Sequence, residues 1–116
     1  MKRTLADNEF YQIKADDRKQ RLYITLKGFW RSPQQVPQYL PDIQKAIYTM
    51  SDGFTCLANF SMLMPFSEEV KPLFTESIKL LLSEGMKRSA QLLPLNLETS
   101  EMLANYFEEA GFKLTA

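Results

Sequence analysis

Few side chains in this 116-residue sequence carry reactive chemistry: Cys56, Ser67 and the adjacent carboxylates Glu68 and Glu69. There is no histidine, which removes Ser-His-Asp and Cys-His catalysis, histidine metal sites and histidine pH switching. With one cysteine, a CxxC redox pair, a thiolate zinc site and an intrachain disulfide are impossible within one chain. Cys56 itself lies in the apolar run FTCLANF, where a buried structural thiol is the expectation rather than a nucleophile. Glu68 and Glu69 do not face each other on a helix, because successive residues point about 100° apart. Their types suit the positive end of a helix dipole better than paired acid–base work. Phosphate-cradling loops need clustered glycines, and Gly28, Gly53, Gly85 and Gly111 are scattered. The expectation is a protein that is not an enzyme, with no metal and no cofactor.

Ser67 has three readings: a helix cap, a phosphorylation site favoured at a helix N-terminus, or a ligand contact beyond the carboxyl end of a parallel strand. The stretch Met62, Leu63, Met64, Pro65, Phe66 just before it has two. It is either the end of the central strand tucked under a helix, or an apolar, methionine-rich contact loop. Phe29 and Trp30 are expected to cover one end of the core.

The elements that must position these residues follow from periodicity. Residues 1–8 read as a polar, mobile lead-in to one domain spanning 1–116. Residues 10–15 alternate weakly. Residues 21–29 alternate clearly, with Leu22, Ile24 and Leu26 on one face, so the two runs predict an antiparallel hairpin around the polar 16–20 connection. Val36, Tyr39, Leu40, Ile43, Ala46, Ile47 and Met50 recur at helical spacing. Ser32-Pro33 offers a cap and first-turn proline, while Pro37 and Pro41 require either a late start near Gln38 or a bend at Pro41. The almost continuously apolar 54–60 predicts a strand covered on both faces. A second helix carries Val70, Leu73, Phe74, Ser77, Ile78 and Leu81, its start blurred by Pro72, and Gly85 is placed as its left-handed stop. Residues 89–93 predict a short strand. A third helix, capped by Asn96 or Thr99, carries Met102, Leu103, Tyr106, Phe107 and Ala110, and residues 112–115 predict a final edge strand. The order is β-β-α-β-α-β-α-β: an α/β fold with a mixed, mostly parallel sheet.

Composition agrees with a globular chain. Apolar residues make up 45% and charged residues 24%, with fourteen cations balancing fourteen carboxylates, so the basic excess of nucleic-acid binders is absent. The first 31 residues lean basic and residues 68–116 lean acidic, which suggests either solvated faces or opposite poles that pair between subunits. No secretory h-region or membrane span is visible, and a cytoplasmic location is the expectation.

In this layout the chain resembles the STAS family, the fold of bacterial anti-sigma-factor antagonists, and its SpoIIAA-like relatives. The resemblance rests on the hairpin ending Lys27-Gly28, the strand Leu57-Ala58-Asn59-Phe60-Ser61 entering a helix, and the turn Gly85-Met86-Lys87-Arg88-Ser89-Ala90. Asn59-Phe60-Ser61 stands where the family has an Asp-Leu-Ser-like strand end. The loop after it has no Asp-Ser-Ser-Gly, and counting puts Glu68 at the phosphoacceptor position with Ser67 just before it. The resemblance therefore implies the fold and a protein-contact role, with the phosphorylation-switch motif not intact. Asn59, Ser61, Met62, Met64, Phe66, Ser67 and Glu68 form the candidate interaction or ligand loop, with Ser67 as the candidate phospho-site. The functional expectation is a non-catalytic interaction domain with an unidentified protein partner, self-associating as a homodimer. The alternative is a domain binding a small molecule or lipid-like ligand in a pocket near Met64, Phe66, Ser67 and Trp30.

Overall fold

Three strands come before the first helix, not two. The computed structural model describes residues 2–111, in the order β1 (Lys2–Asp7), β2 (Tyr11–Asp16), β3 (Arg21–Gly28), α1 (Tyr39–Tyr48), β4 (Thr55–Leu63), α2 (Lys71–Ser83), β5 (Arg88–Leu92) and α3 (Leu97–Glu109). The final strand expected at residues 112–115 lies outside the described residues. The five strands form one sheet in sequential order, β1-β2-β3-β4-β5. β1 and β2 run antiparallel to their successors, and β3–β4 and β4–β5 pair in parallel. The sheet is mixed as expected, but its ladders are evenly divided rather than mostly parallel, because the amino terminus adds a strand.

Residues 2–7, expected as a mobile lead-in, are that added edge strand. Lys2, Arg3, Thr4 and Asp7 are exposed, and only Leu5 and Ala6 are half-buried. An edge strand has one ladder and little buried face, so it needs no hydrophobic alternation, and charge on it blocks unwanted pairing. The turn into β2 is made by Asn8, whose Oδ1 accepts from the N–H of Phe10 at 2.8 Å and of Tyr11 at 3.0 Å. An Asx side chain here replaces the Gly or Pro that usually marks such turns.

β4 also departs from expectation. Cys56, Ala58 and Phe60 are buried while Leu57 points to solvent, so the strand is covered on one face only. The cause is strand order: two successive right-handed crossovers stepping the same way along the sheet stack their helices on the same side. That side holds Tyr11, Ile13, Ala15, Leu22, Ile24, Leu26, Cys56, Ala58 and Phe60 against Tyr39, Ile43, Ala46, Ile47, Phe74, Ile78, Leu81 and Leu103. Each fully buried large apolar side chain contributes roughly 1.5–3 kcal/mol relative to exposure.

The prolines fit where helices begin. Pro33 opens a short 3-10 turn (Pro33–Gln35), and α1 starts late, leaving Pro41 in its first turn where no intrahelical partner for an N–H exists. Pro72 likewise sits at the start of α2. α2 ends on Gly85, at φ +105°: the Gly85 N–H reaches the Leu82 carbonyl and the Met86 N–H reaches that of Leu81, the six-to-one closure of a Schellman motif. A Cβ on Gly85 would collide with the Asp52 carboxylate, so glycine is required there for space as well as for φ.

Candidate functional site

The β4–α2 segment divides between core and surface. β4 runs on through Leu63, so the first part of the apolar stretch is strand. A bulge interrupts it: Thr25 pairs with Asn59 but Lys27 pairs with Met62, so β4 carries one extra residue opposite Leu26. Asn59 and Ser61 stabilise this bulge. Asn59 Oδ1 accepts from the Ser61 N–H at 2.9 Å and from its hydroxyl at 2.7 Å. Shifting the phase by one residue turns Met62 to the open face and Leu63 into the core.

Beyond the strand, Phe66 is buried and not available to a partner. Its ring lies 5.3 Å from Trp30, 5.0 Å from Phe74 and 6.4 Å from Tyr106, and its N–H donates to Met102 Sδ at 3.2 Å. Trp30 is fully buried, with Nε1–H donating to the Lys27 carbonyl at 3.1 Å. It packs edge-on to Tyr39 at 5.0 Å and tilted against Tyr11 at 6.1 Å. The aromatic chain from Tyr11 through Trp30, Phe66 and Phe74 to Phe107 closes this end of the core. Phe29, expected to share that duty, is instead exposed.

Ser67 does not cap a helix. Its hydroxyl donates to the Arg31 carbonyl, and its N–H donates to that of Trp30 at 3.2 Å. The residue ties the β4–α2 loop to the segment leaving β3. Glu68 and Glu69 are exposed on the 3-10 turn Glu68–Val70 that leads into α2, where their charge complements the amino end. Cys56 is a free thiol buried under the helices, and desolvation pushes its pKa from 9.0 to about 12. At neutral pH it is therefore held as the protonated thiol. A cavity of about 30 Å3 adjoins it, lined in part by Ile24, Tyr39, Phe60, Phe74 and Met86. Ligand pockets run to roughly 300–1,000 Å3.

What remains exposed is strongly localised. Among the described residues, seven of the nine exposed large apolar side chains lie at the carboxyl ends of β3, β4 and β5: Phe29, Met62, Met64, Leu92, Leu93, Leu95 and Leu97. Met64 is held beside β3 by its N–H on the Gly28 carbonyl at 3.0 Å. The leucines come from the β5–α3 turn, which is fixed by Asn96. Its Oδ1 accepts from the Thr99 N–H at 2.9 Å, while the Ser100 hydroxyl donates to the Pro94 carbonyl at 2.8 Å. Leu95 is as exposed as in an extended chain, at 104%. Reasoning from the sequence found Met62 and Met64 but not this second half of the rim. The signal was the run LLPLNL, four leucines around a proline where a polar turn is usual.

Charge is segregated by layer. The five strands hold Lys2, Arg3, Lys14, Arg21, Lys27 and Arg88 against Asp7 and Asp16. The three α-helices and the two 3-10 turns hold eight carboxylates, including Asp42 and Glu109, against Lys45, Lys71 and Lys79. The strands thus carry a net positive charge and the helices a net negative one.

These features define the class: an α/β domain built on one five-stranded mixed sheet with helices on one face, the other face open among the described residues. No family pattern matches the chain, and no curated protein or solved structure matches it significantly. No helix among the described residues is long and apolar enough to cross a membrane.

Proposed function

We propose that this chain is a non-catalytic protein-interaction domain of the STAS-like type that meets its partner through the apolar rim at the carboxyl ends of β3, β4 and β5. The observation that carries the reading is the concentration there of seven exposed apolar side chains from three separate segments. Scattered surface leucines need no explanation, but a cluster of this kind marks contact surfaces. Hydrogen bonds donated by Met64, Ser67 and Ser100 and accepted by Asn96 hold both loops in place, which lowers the entropy lost when a partner docks. The ligand-binding alternative has less support, since the cavity beside Cys56, about 30 Å3, is far smaller than a ligand pocket and Phe66 and Trp30 are packed into the core.

Self-association belongs at this rim rather than on the open sheet face. Stacking two open faces about a two-fold axis would oppose cations of like sign. A buried, free thiol suits the reducing cytoplasm. The exposed part of the expected loop that serves this role is Met62 and Met64. Phosphate on Ser67 would remove the hydroxyl's bond to Arg31 and so loosen the loop, which makes that residue the one through which modification would act.

The test is a double variant, Met64→Ser with Leu95→Ser, compared with the parent in cross-linking and affinity capture from cell extract. Both side chains are exposed, so the melting temperature is expected to stay constant while one or more captured proteins, or the dimer in light scattering, disappears. An unchanged set of partners and an unchanged mass would overturn the proposal.

A further inference from the structure

The open face of the sheet is patterned in rows that cross the strands. Arg21, Thr55 and Arg88 form one row, Tyr23, Leu57 and Ala90 the next, Thr25, Asn59 and Leu92 the third, and Lys27 and Met62 the fourth, beyond the bulge. Lys14 extends the second row onto β2. Same-face rows lie about 7 Å apart, so Leu57 has Arg21 and Arg88 one row away on one side, Lys14 at the end of its own row, and uncharged Thr25 and Asn59 on the other side, with Lys27 two rows off. Leu57 is 41% exposed, and no described element covers it. Among the described residues, Lys14, Arg21, Lys27 and Arg88 make no ion pair. The carboxylate on the first row, Asp16, is bonded to the backbone N–H groups of Arg18 and Lys19, at 3.1 Å each.

From this pattern we infer that the open sheet face is a second docking surface, adjoining the rim at Met62 and Leu92, whose occupant is an acidic amphipathic segment of a partner protein. Charge complementarity selects the sign: five cations, Lys2 among them, face solvent from a layer that carries few carboxylates. The apolar side chains select the rest: Leu57, then Leu92 and Met62 on the next two rows, are aliphatic, fitted to leucine-like side chains between the partner's carboxylates. Faces that hold single-stranded nucleic acid stack bases on aromatic rings. Here the aromatic group on the rows is Tyr23, and its ring already carries the Lys2 ammonium 4.2 Å from its centroid. Same-face stacking of two copies fails on charge, so the occupant is not a symmetric second copy.

The test uses fluorescence anisotropy on the full chain with three labelled probes: a helical peptide with a leucine stripe between glutamates, the same peptide with lysines for glutamates, and a thymidine oligonucleotide. The acidic peptide is expected to bind, to weaken as salt is raised, and to lose about tenfold in affinity when Arg21→Glu and Arg88→Glu are combined. Leu57→Asp should lower its affinity as well, with circular dichroism and melting temperature unchanged. The rim variant Met64→Ser with Leu95→Ser should bind the acidic peptide as the parent does, which separates this surface from the rim. The inference is overturned by absence of binding to the acidic peptide, by equal or tighter binding of the lysine peptide or the oligonucleotide, or by full affinity in the Arg21→Glu, Arg88→Glu protein.

Discussion

The two faces of one sheet are built from the same strands and have opposite properties. On the helix side, Leu22, Ile24, Cys56 and Ala58 are buried in a continuous core. On the other side, one residue along each strand, Tyr23, Thr25, Leu57 and Asn59 face outward among lysines and arginines. The difference teaches that burial is decided by what lies across from a side chain, since both sets alternate along the same two strands, β3 and β4. It also separates stability from recognition: the covered face holds the fold, and the open face and rim are free to vary in contact.

The sharpest way to break this comparison is to substitute across it. Trp30→Ala, in the fully buried aromatic chain, should cost about 3–5 kcal/mol in denaturant unfolding. Leu57→Ser, in the same sheet, should stay within about 1 kcal/mol. Equal losses would show that the open face is covered after all. Next in size is Gly85→Ala. The Asp52 carboxylate and the positive φ together should cost roughly 1–3 kcal/mol, read as a lower thermal midpoint.

Titration sharpens the contrast. Tyr11 is raised from 10.0 to about 12, first by burial and then by its hydroxyl's 2.7 Å bond to Asp42, and Cys56 is raised to about 12 by burial. Burial also raises Tyr39. In each case the folded state holds its proton more tightly than the unfolded chain. Their stabilising contribution is therefore complete below the unfolded values, 9 for the thiol and 10 for the phenol, and falls away as pH climbs toward 12. Unfolding measured from pH 8 to 12 should show this decline, and Tyr11→Phe should make it shallower. Cys56 should resist alkylation at pH 8 until denaturant is added. The smallest effect is expected at the exposed pair Lys71–Glu109, 2.7 Å apart, where Glu109→Gln should leave the melting temperature unchanged.

How legible the fold was depended on how locally each feature is encoded. Leu22, Ile24 and Leu26 alternate strictly, and β3 was read nearly to its ends. The stripes of α1 and α2, the Gly85 stop and the Asn96 cap were also visible, because a cap or a glycine acts within a turn of its own position. β1 was missed because its partner, β2, supplies the order that its own polar residues do not. The mixed fate of Met62, Leu63, Met64 and Phe66 was ambiguous in sequence because one extra residue at Ser61 reverses which side chains turn inward, and periodicity cannot register a bulge. A helix cap was one of the three readings that the sequence allows Ser67. Its hydroxyl was taken instead by a carbonyl 36 positions away in the chain.

By itself the amino-acid order determined what chemistry is missing and what repeats: no histidine, a single thiol, helices at period 3.6, strands at period 2, and an uneven spread of charge. Only the folded arrangement decided that the strands gather the cations and the helices the carboxylates, that leucines from the β5–α3 turn join methionines from β4, and that one sheet face is left open among the described residues. Periodicity acts between neighbours in the chain, whereas strand order and crossover hand join residues far apart in it, and those long-range contacts determine which surfaces meet water.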